Sequence, residues 1–176
     1  MRLNTAAALF AAPLMLGSLA ACATYGETGN AQRAAAPLFM ADGTPAGLAT
    51  VTATTTGLRL DLEVIGLSPG PHGVHVHTTG ACTPTFAAAG GHWNPGGHTH
   101  GLQSATGQHA GDMPNVDVGA NGRGSLSYML GGGATFAGLF DADGSAFIVH
   151  AGPDDQVTDP AGNSGDRIAC GIFVAR

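Results

Sequence analysis

The chain has 176 residues, enough for a single domain with one sizeable core. Only 10% of them are charged while glycine numbers 29 and proline 10, which disfavours long solvent-facing helices and favours short strands joined by turns and ordered loops. The net charge is −6, with 6 positive charges (all arginine) against 12 acidic residues, which argues against a basic patch and against nucleic acid as a partner.

Residues 1–21 read as an export signal. Arg2 supplies a short positive start, and an apolar run over 6–16 follows, too short to span a bilayer comfortably as a mature helix. It ends in Leu19-Ala20-Ala21-Cys22, which resembles a bacterial lipobox, where cleavage leaves a lipidated cysteine as the new N-terminus. Residues 22–35 are small and polar and read as a flexible tether behind that lipid, ahead of a folded domain over 36–176. The expected location is a bacterial cell envelope, on the periplasmic side, with the lipid on Cys22 as the membrane contact. With Cys22 so used, Cys82 and Cys170 remain as a pair, and in an oxidising compartment a disulfide is the default.

The first folded stretch is β in character. Residues 46–56 are rich in Thr, Val and Ala, and after Gly57 the apolar Leu58, Leu60, Leu62 and Val64 alternate with Arg59, Asp61 and Glu63. Period-two alternation over seven residues buries one face and wets the other. Pro69-Gly70-Pro71 breaks the pattern, and Val74-His75-Val76-His77 starts another strand. From 78 to 115 periodicity is lost in a glycine-rich, histidine-bearing loop, which at that length needs a function or an internal staple. Strand signals return at 124–130, 146–151 and 169–174, with a second irregular loop over 152–166. About eight short strands, two long ordered loops and no amphipathic helix predict an all-β fold, an antiparallel Greek-key sandwich or flattened barrel.

Eight histidines concentrate in this pattern. His75 and His77, at i and i+2 on a strand, leave one face together, an arrangement that suits copper or zinc. His150 ends the apolar run Phe147-Ile148-Val149 and completes a three-histidine face. His72 has the opposite parity and reads as structural. His92, His109, Asp112 and either His98 or His100 make a second set in the loop, where three imidazoles and one carboxylate suit a closed zinc site. Spacing does not choose between His98 and His100.

Gly73-Val74-His75-Val76-His77, Gly91-His92-Trp93-Asn94-Pro95, His100-Gly101, His109-Ala110-Gly111-Asp112, Val149-His150 with Asp154-Asp155, and the run 165–171 around Arg167 and Cys170 occur in order over residues 36–176. Together they resemble the motifs of copper–zinc superoxide dismutases. The resemblance implies one copper ion on His75, His77, His92 and His150, and one zinc ion on His92, His100, His109 and Asp112, with His92 bridging the two. It selects His100 over His98, makes Asp154 the carboxylate that orients one ligand of each metal, and makes Arg167 the group that docks the anion. The implied activity is conversion of superoxide to dioxygen and hydrogen peroxide, copper alternating between Cu(II) and Cu(I) with His92 as proton relay. The alternative is a non-catalytic copper- or zinc-binding envelope protein on the same fold. A zinc hydrolase is disfavoured, because the segment from His72 to His109 contains no Asp or Glu to serve as base. A homodimer is left open, since bacterial relatives pair differently or stay monomeric. One departure is electrostatic: many relatives line the copper channel with lysines, and this chain has none.

Overall fold

The computed structural model describes residues 31–176. The expected export signal, Cys22 and the tether through residue 30 lie outside the described residues. Ten strands follow in order: β1 (Arg33–Met40), β2 (Pro45–Thr54), β3 (Gly57–Val64), β4 (Gly70–His72), β5 (Val74–His77), β6 (Val116–Val118), β7 (Gly124–Met129), β8 (Ala146–His150), β9 (Arg167–Ile172) and β10 (Val174–Ala175). Eight of them form one antiparallel sheet along the path β5-β8-β9-β1-β2-β3-β7, with β10 beside β1. β4 and β6 make a separate short ribbon that the sequence reading did not foresee.

β3 behaves as its alternation demands: Leu58, Leu60, Leu62 and Val64 are buried, Arg59 and Glu63 exposed. Leu60, Leu62 and Val51 from one end of the path share a single core with Val74, Val76, Phe147 and Val149 from the other. Strands so far apart in a sheet reach one another only if the sheet curls over on itself, which gives the flattened half-barrel.

The tether boundary is corrected. Arg33, Ala34 and Ala35, assigned to the tether, are the first residues of β1, and Ala34 is fully buried opposite Val51. Ala34, Ala36 and Leu38 do point inward with period two. Alanine carries too little apolar contrast for that period to stand out from an alanine-rich linker, so pairing with β2 decides the matter.

The two loops fall where the sequence placed them. Residues 78–115 connect β5 to β6, and 151–166 connect β8 to β9. The expected bridge is present, with Cys82 and Cys170 joined at a Cα–Cα distance of 5.9 Å, tying the first loop to β9. All four residues of β5 are buried because the first loop returns along its open edge. The Val76 N–H donates to the Gly111 carbonyl (3.0 Å), Trp93 N–H to the Val76 carbonyl (2.8 Å) and Gly111 N–H to the Trp93 carbonyl (2.9 Å). A Cβ on residue 111 would stand 2.1 Å from the Val76 oxygen, so only glycine permits this approach. The consequence is functional: His92 comes to lie opposite His77, and Asp112 opposite His75.

Candidate metal centre

His75 and His77 leave β5 on a common face, β8 adds His150 from one side and the returning loop adds His92 from the other. All four are buried, and each offers a ligand atom within 4.8 Å of the others. His92, His100, His109 and Asp112 form a second such set, also buried. His92 belongs to both: its ring centroid lies 3.8 Å from that of His75 and 5.0 Å from that of His100. Its Nδ1 is 2.9 Å from Asp112 Oδ1, which leaves Nε2 as its free donor atom toward the first set.

The fold agrees with the resemblance in taking His100 and not His98. The His98 ring sits 2.8 Å from the Gln108 carbonyl and the His98 backbone N–H donates to Asn94 Oδ1, so this residue braces the loop while His100 joins the second set. His72 stays outside, as expected, its ring spanning the carbonyls of His150 (2.7 Å) and Ser68 (2.9 Å).

Each ring is oriented by its other nitrogen. Nε2 of His75 donates to Asp154 Oδ2 (2.6 Å) and Nε2 of His100 to Asp154 Oδ1 (3.0 Å), so Asp154 spans one ring of each set. Nδ1 of His77 donates to the Gly90 carbonyl (3.0 Å) and Nδ1 of His150 to the Gly165 carbonyl (3.1 Å). Asp112 Oδ2 accepts the backbone N–H groups of Gly101 (2.8 Å) and His109 (3.0 Å), which turns Oδ1 toward the three rings. Such outer partners set the tautomer and aim of a ligand. Gly162, at φ +62°, completes the enclosure, since a Cβ there would overlap Asp154 Oδ1 at 1.8 Å.

The remaining nitrogens decide what the pocket is for. His75 Nδ1, His77 Nε2, His92 Nε2, His109 Nδ1 and His150 Nε2 are buried without a hydrogen-bond partner. Leaving one buried polar atom unpaired costs roughly 1–3 kcal/mol, and five converging ones are explained by metal binding far better than by packing.

A family model described as copper/zinc superoxide dismutase matches residues 46–173. The chain is 43% identical over 140 residues to the Cu-Zn superoxide dismutase of Caulobacter vibrioides, covering 75% of this chain and 80% of that one. It is 39% identical over 175 residues to the Cu-Zn superoxide dismutase of Deinococcus radiodurans, covering 92% and 93%. The chain belongs to the copper/zinc superoxide dismutase family. Among solved structures it is similar to a SOD-like protein from Bacillus subtilis (TM-score 0.73, 36% identity, 80% of this chain and 97% of that one). It is likewise similar to the Cu/Zn superoxide dismutase of Brucella abortus (TM-score 0.67, 27% identity, 80% and 98%).

The metals of a copper/zinc dismutase fit these donors. Four imidazole nitrogens suit a copper ion that must accept two oxidation states, and three imidazoles with one carboxylate suit a closed zinc site. Ligand rings must be neutral, and burial pushes His75 down to about 3, His150 down to about 4, and His77 and His92 below the usual imidazole range. Burial opposes charge on His100 too, but the carboxylates of Asp112 and Asp154 outweigh it and push this ring up to about 9. Both carboxylates are held well below the ordinary range in return: despite burial, Asp112 accepts from His100 and His92, and Asp154 from His100 and His75.

Arg167 opens β9, directly opposite His150 in the sheet register. Its Nη1 donates to the Phe86 carbonyl (2.7 Å) and its Nη2 to the Gly90 carbonyl (2.6 Å), the same carbonyl that orients His77. Among the described residues it forms no ion pair with Asp155 or Asp166. Asp155 instead folds its own loop, accepting from Thr158 and Asn163. Behind Arg167 lies a largely apolar cleft of about 860 Å³, lined also by both half-cystines, Phe39, Phe86 and Ile172, and none of the histidines reaches it. The carbonyls of Gly90 and Gly165 had escaped sequence reasoning, because a backbone acceptor has no residue signature.

Proposed function

We propose that the protein dismutes superoxide, two molecules and two protons yielding dioxygen and hydrogen peroxide. In this reading copper is held by His75, His77, His92 and His150, and zinc by His92, His100, His109 and Asp112. The observation that carries it is the position of His92, one ring shared by two buried donor sets. Copper, when bound, supplies one-electron exchange between Cu(II) and Cu(I), which zinc lacks. His92 would offer the same Nε2 to copper and to a proton in turn, carrying the proton to the departing peroxide only while that nitrogen is off the metal, with its Nδ1 side anchored in the second set. Asp154 takes the Nε2 side of the His75 and His100 rings, so that Nδ1 is the atom each would offer to a metal. Arg167 receives the anion: with one N–H of each Nη on a carbonyl, the guanidinium keeps further donors, and its charge persists at any working pH.

A rival reading, a non-catalytic copper/zinc-binding protein on the same fold, draws support from the superoxide dismutase-like protein of Bacillus subtilis, 41% identical over 124 residues. A cyanide-sensitive dismutase assay on copper- and zinc-loaded protein separates the two. Activity is expected, and His75→Ala or His150→Ala should each lower it by more than about 100-fold. High activity surviving both changes overturns the copper assignment. We further infer export and lipidation at Cys22, supported by Leu19-Ala20-Ala21-Cys22 and by the disulfide. A mature N-terminus other than an acylated Cys22, read by mass spectrometry, overturns that.

A further inference from the structure

We propose that Asn115 is a positioning residue for both donor sets, acting through Asp154; the inference rests on the metal assignment made above. Asn115 stands at the end of the first loop, immediately before β6, and is no ligand. Its Oδ1 accepts the Asp154 backbone N–H at 2.8 Å, and its Nδ2 donates to the Asp154 carbonyl at 2.9 Å. Among the described residues nothing else hydrogen-bonds to those two backbone groups. Asp154 lies in an irregular loop, so no strand neighbour fixes its backbone. The amide takes the place of that neighbour.

The consequence runs outward from the backbone. Holding both polar groups of one residue fixes the direction in which its side chain leaves. The Asp154 carboxylate is fully buried and reaches His75 and His100 by contacts of 2.6 and 3.0 Å, leaving little room for displacement. Together with the Gln156 N–H, which donates to Asp154 Oδ1 at 2.6 Å, one neutral side chain in the first loop thereby sets the aim of one ring in each set. A primary amide donates from one atom and accepts at its neighbour, which suits these two backbone groups, whereas an ionised carboxylate has no donor and a hydroxyl would have to serve both from one oxygen. Removing it leaves the buried Asp154 N–H and C=O unpaired and lets the carboxylate drift.

The test uses the full chain as Asn115→Ala and Asn115→Asp, loaded with zinc. Three quantities are read: zinc affinity by competition with a chelator, the ring N–H proton signals of His75 and His100, and melting with and without zinc. Asn115→Ala should weaken zinc binding by about tenfold or more. It should also speed exchange of both ring N–H protons and narrow the gap between zinc-loaded and metal-free melting. Asn115→Asp, which keeps the acceptor and loses the donor, should fall between Asn115→Ala and the unchanged protein. Should Asn115→Ala not fold, Asn115→Asp decides by the same readings. Unchanged zinc affinity with both ring protons still protected overturns the proposal. So does an equal loss of melting temperature with and without zinc, the mark of an ordinary loop staple. None of these readings involves superoxide, so an inactive parent enzyme and an idle Asn115 give different results.

Discussion

β2 and β3 pair from Gly47–Val64 to Thr54–Gly57 and are held by an alternating apolar face against the common core. The loops over 78–115 and 151–166 have no ladder of their own. One disulfide, a borrowed edge along β5 and hydrogen bonds to buried carboxylates hold them instead. The sheet is therefore stabilised by a non-directional force spread over many side chains. The loops depend on a few directional contacts, each with a large share of the order. His92, His100, His109, Asp112 and Asp154 sit in the second region and meet His75, His77 and His150 of the sheet; metal donors need fixed orientation, and the sheet supplies the frame that lowers its entropic cost.

The comparison is tested hardest at the disulfide. It closes a separation of 88 residues, which the chain-entropy model values at about 4–5 kcal/mol, or roughly 10–15 °C of melting temperature at this size. Cys170→Ala in the purified protein should show that loss in a thermal melt. A drop under about 3 °C would mean that the loops are ordered without their staple. Metal removal should discriminate between the regions: hydrogen exchange of amides in 78–115 and 151–166 should accelerate by at least about tenfold, with β2 and β3 unchanged. Equal acceleration everywhere breaks the distinction.

Acidity acts on the loop region with a definite sign. In the metal-free protein His75 and His150 bind protons only near 3 and 4, whereas the unfolded chain takes them up near 6.5. The unfolded state thus gains protons first as pH falls, and stability is lost from about 6.5 downward. His100, raised to about 9, contributes stability below 6.5 that disappears as pH rises through 9. Melting of the metal-free protein should peak near neutral pH and fall by roughly 5–10 °C by pH 5; a flat profile would contradict the burial of neutral rings. Arg167→Ala should lower kcat/KM for superoxide by about tenfold with metal content unchanged. The smallest effect expected is that of salt. Arg167 follows Asp166 directly and no lysine assists it, so kcat/KM should change by less than about twofold between low and physiological ionic strength.

The β3 strand and both loop intervals were legible in the chain because each has a local signal, alternation in one case and its loss in the other. The donor sets were legible for a different reason: His75 and His77 share a face by strand geometry, and the remaining motifs follow in a recognisable order. β1 was not read as a strand, and its first three residues went to the tether, because Ala34 and Ala36 contrast weakly with their surroundings. The ribbon β4–β6 was missed because three residues on each side carry no pattern.

The amino-acid sequence by itself determined which side chains can bind metal, which cysteines remain to pair, and where regular structure stops. Those properties follow from residue chemistry and from short-range periodicity. Only the tertiary structure decided that His98 braces the loop through Asn94 and Gln108, that Gly90 serves His77 and Arg167 with one oxygen, and that Asn115 grips the backbone of Asp154. Each of these joins residues that are not chain neighbours through a backbone atom or an amide, and no local pattern encodes such a meeting. It exists only after the sheet has curled and the loops have closed over β5.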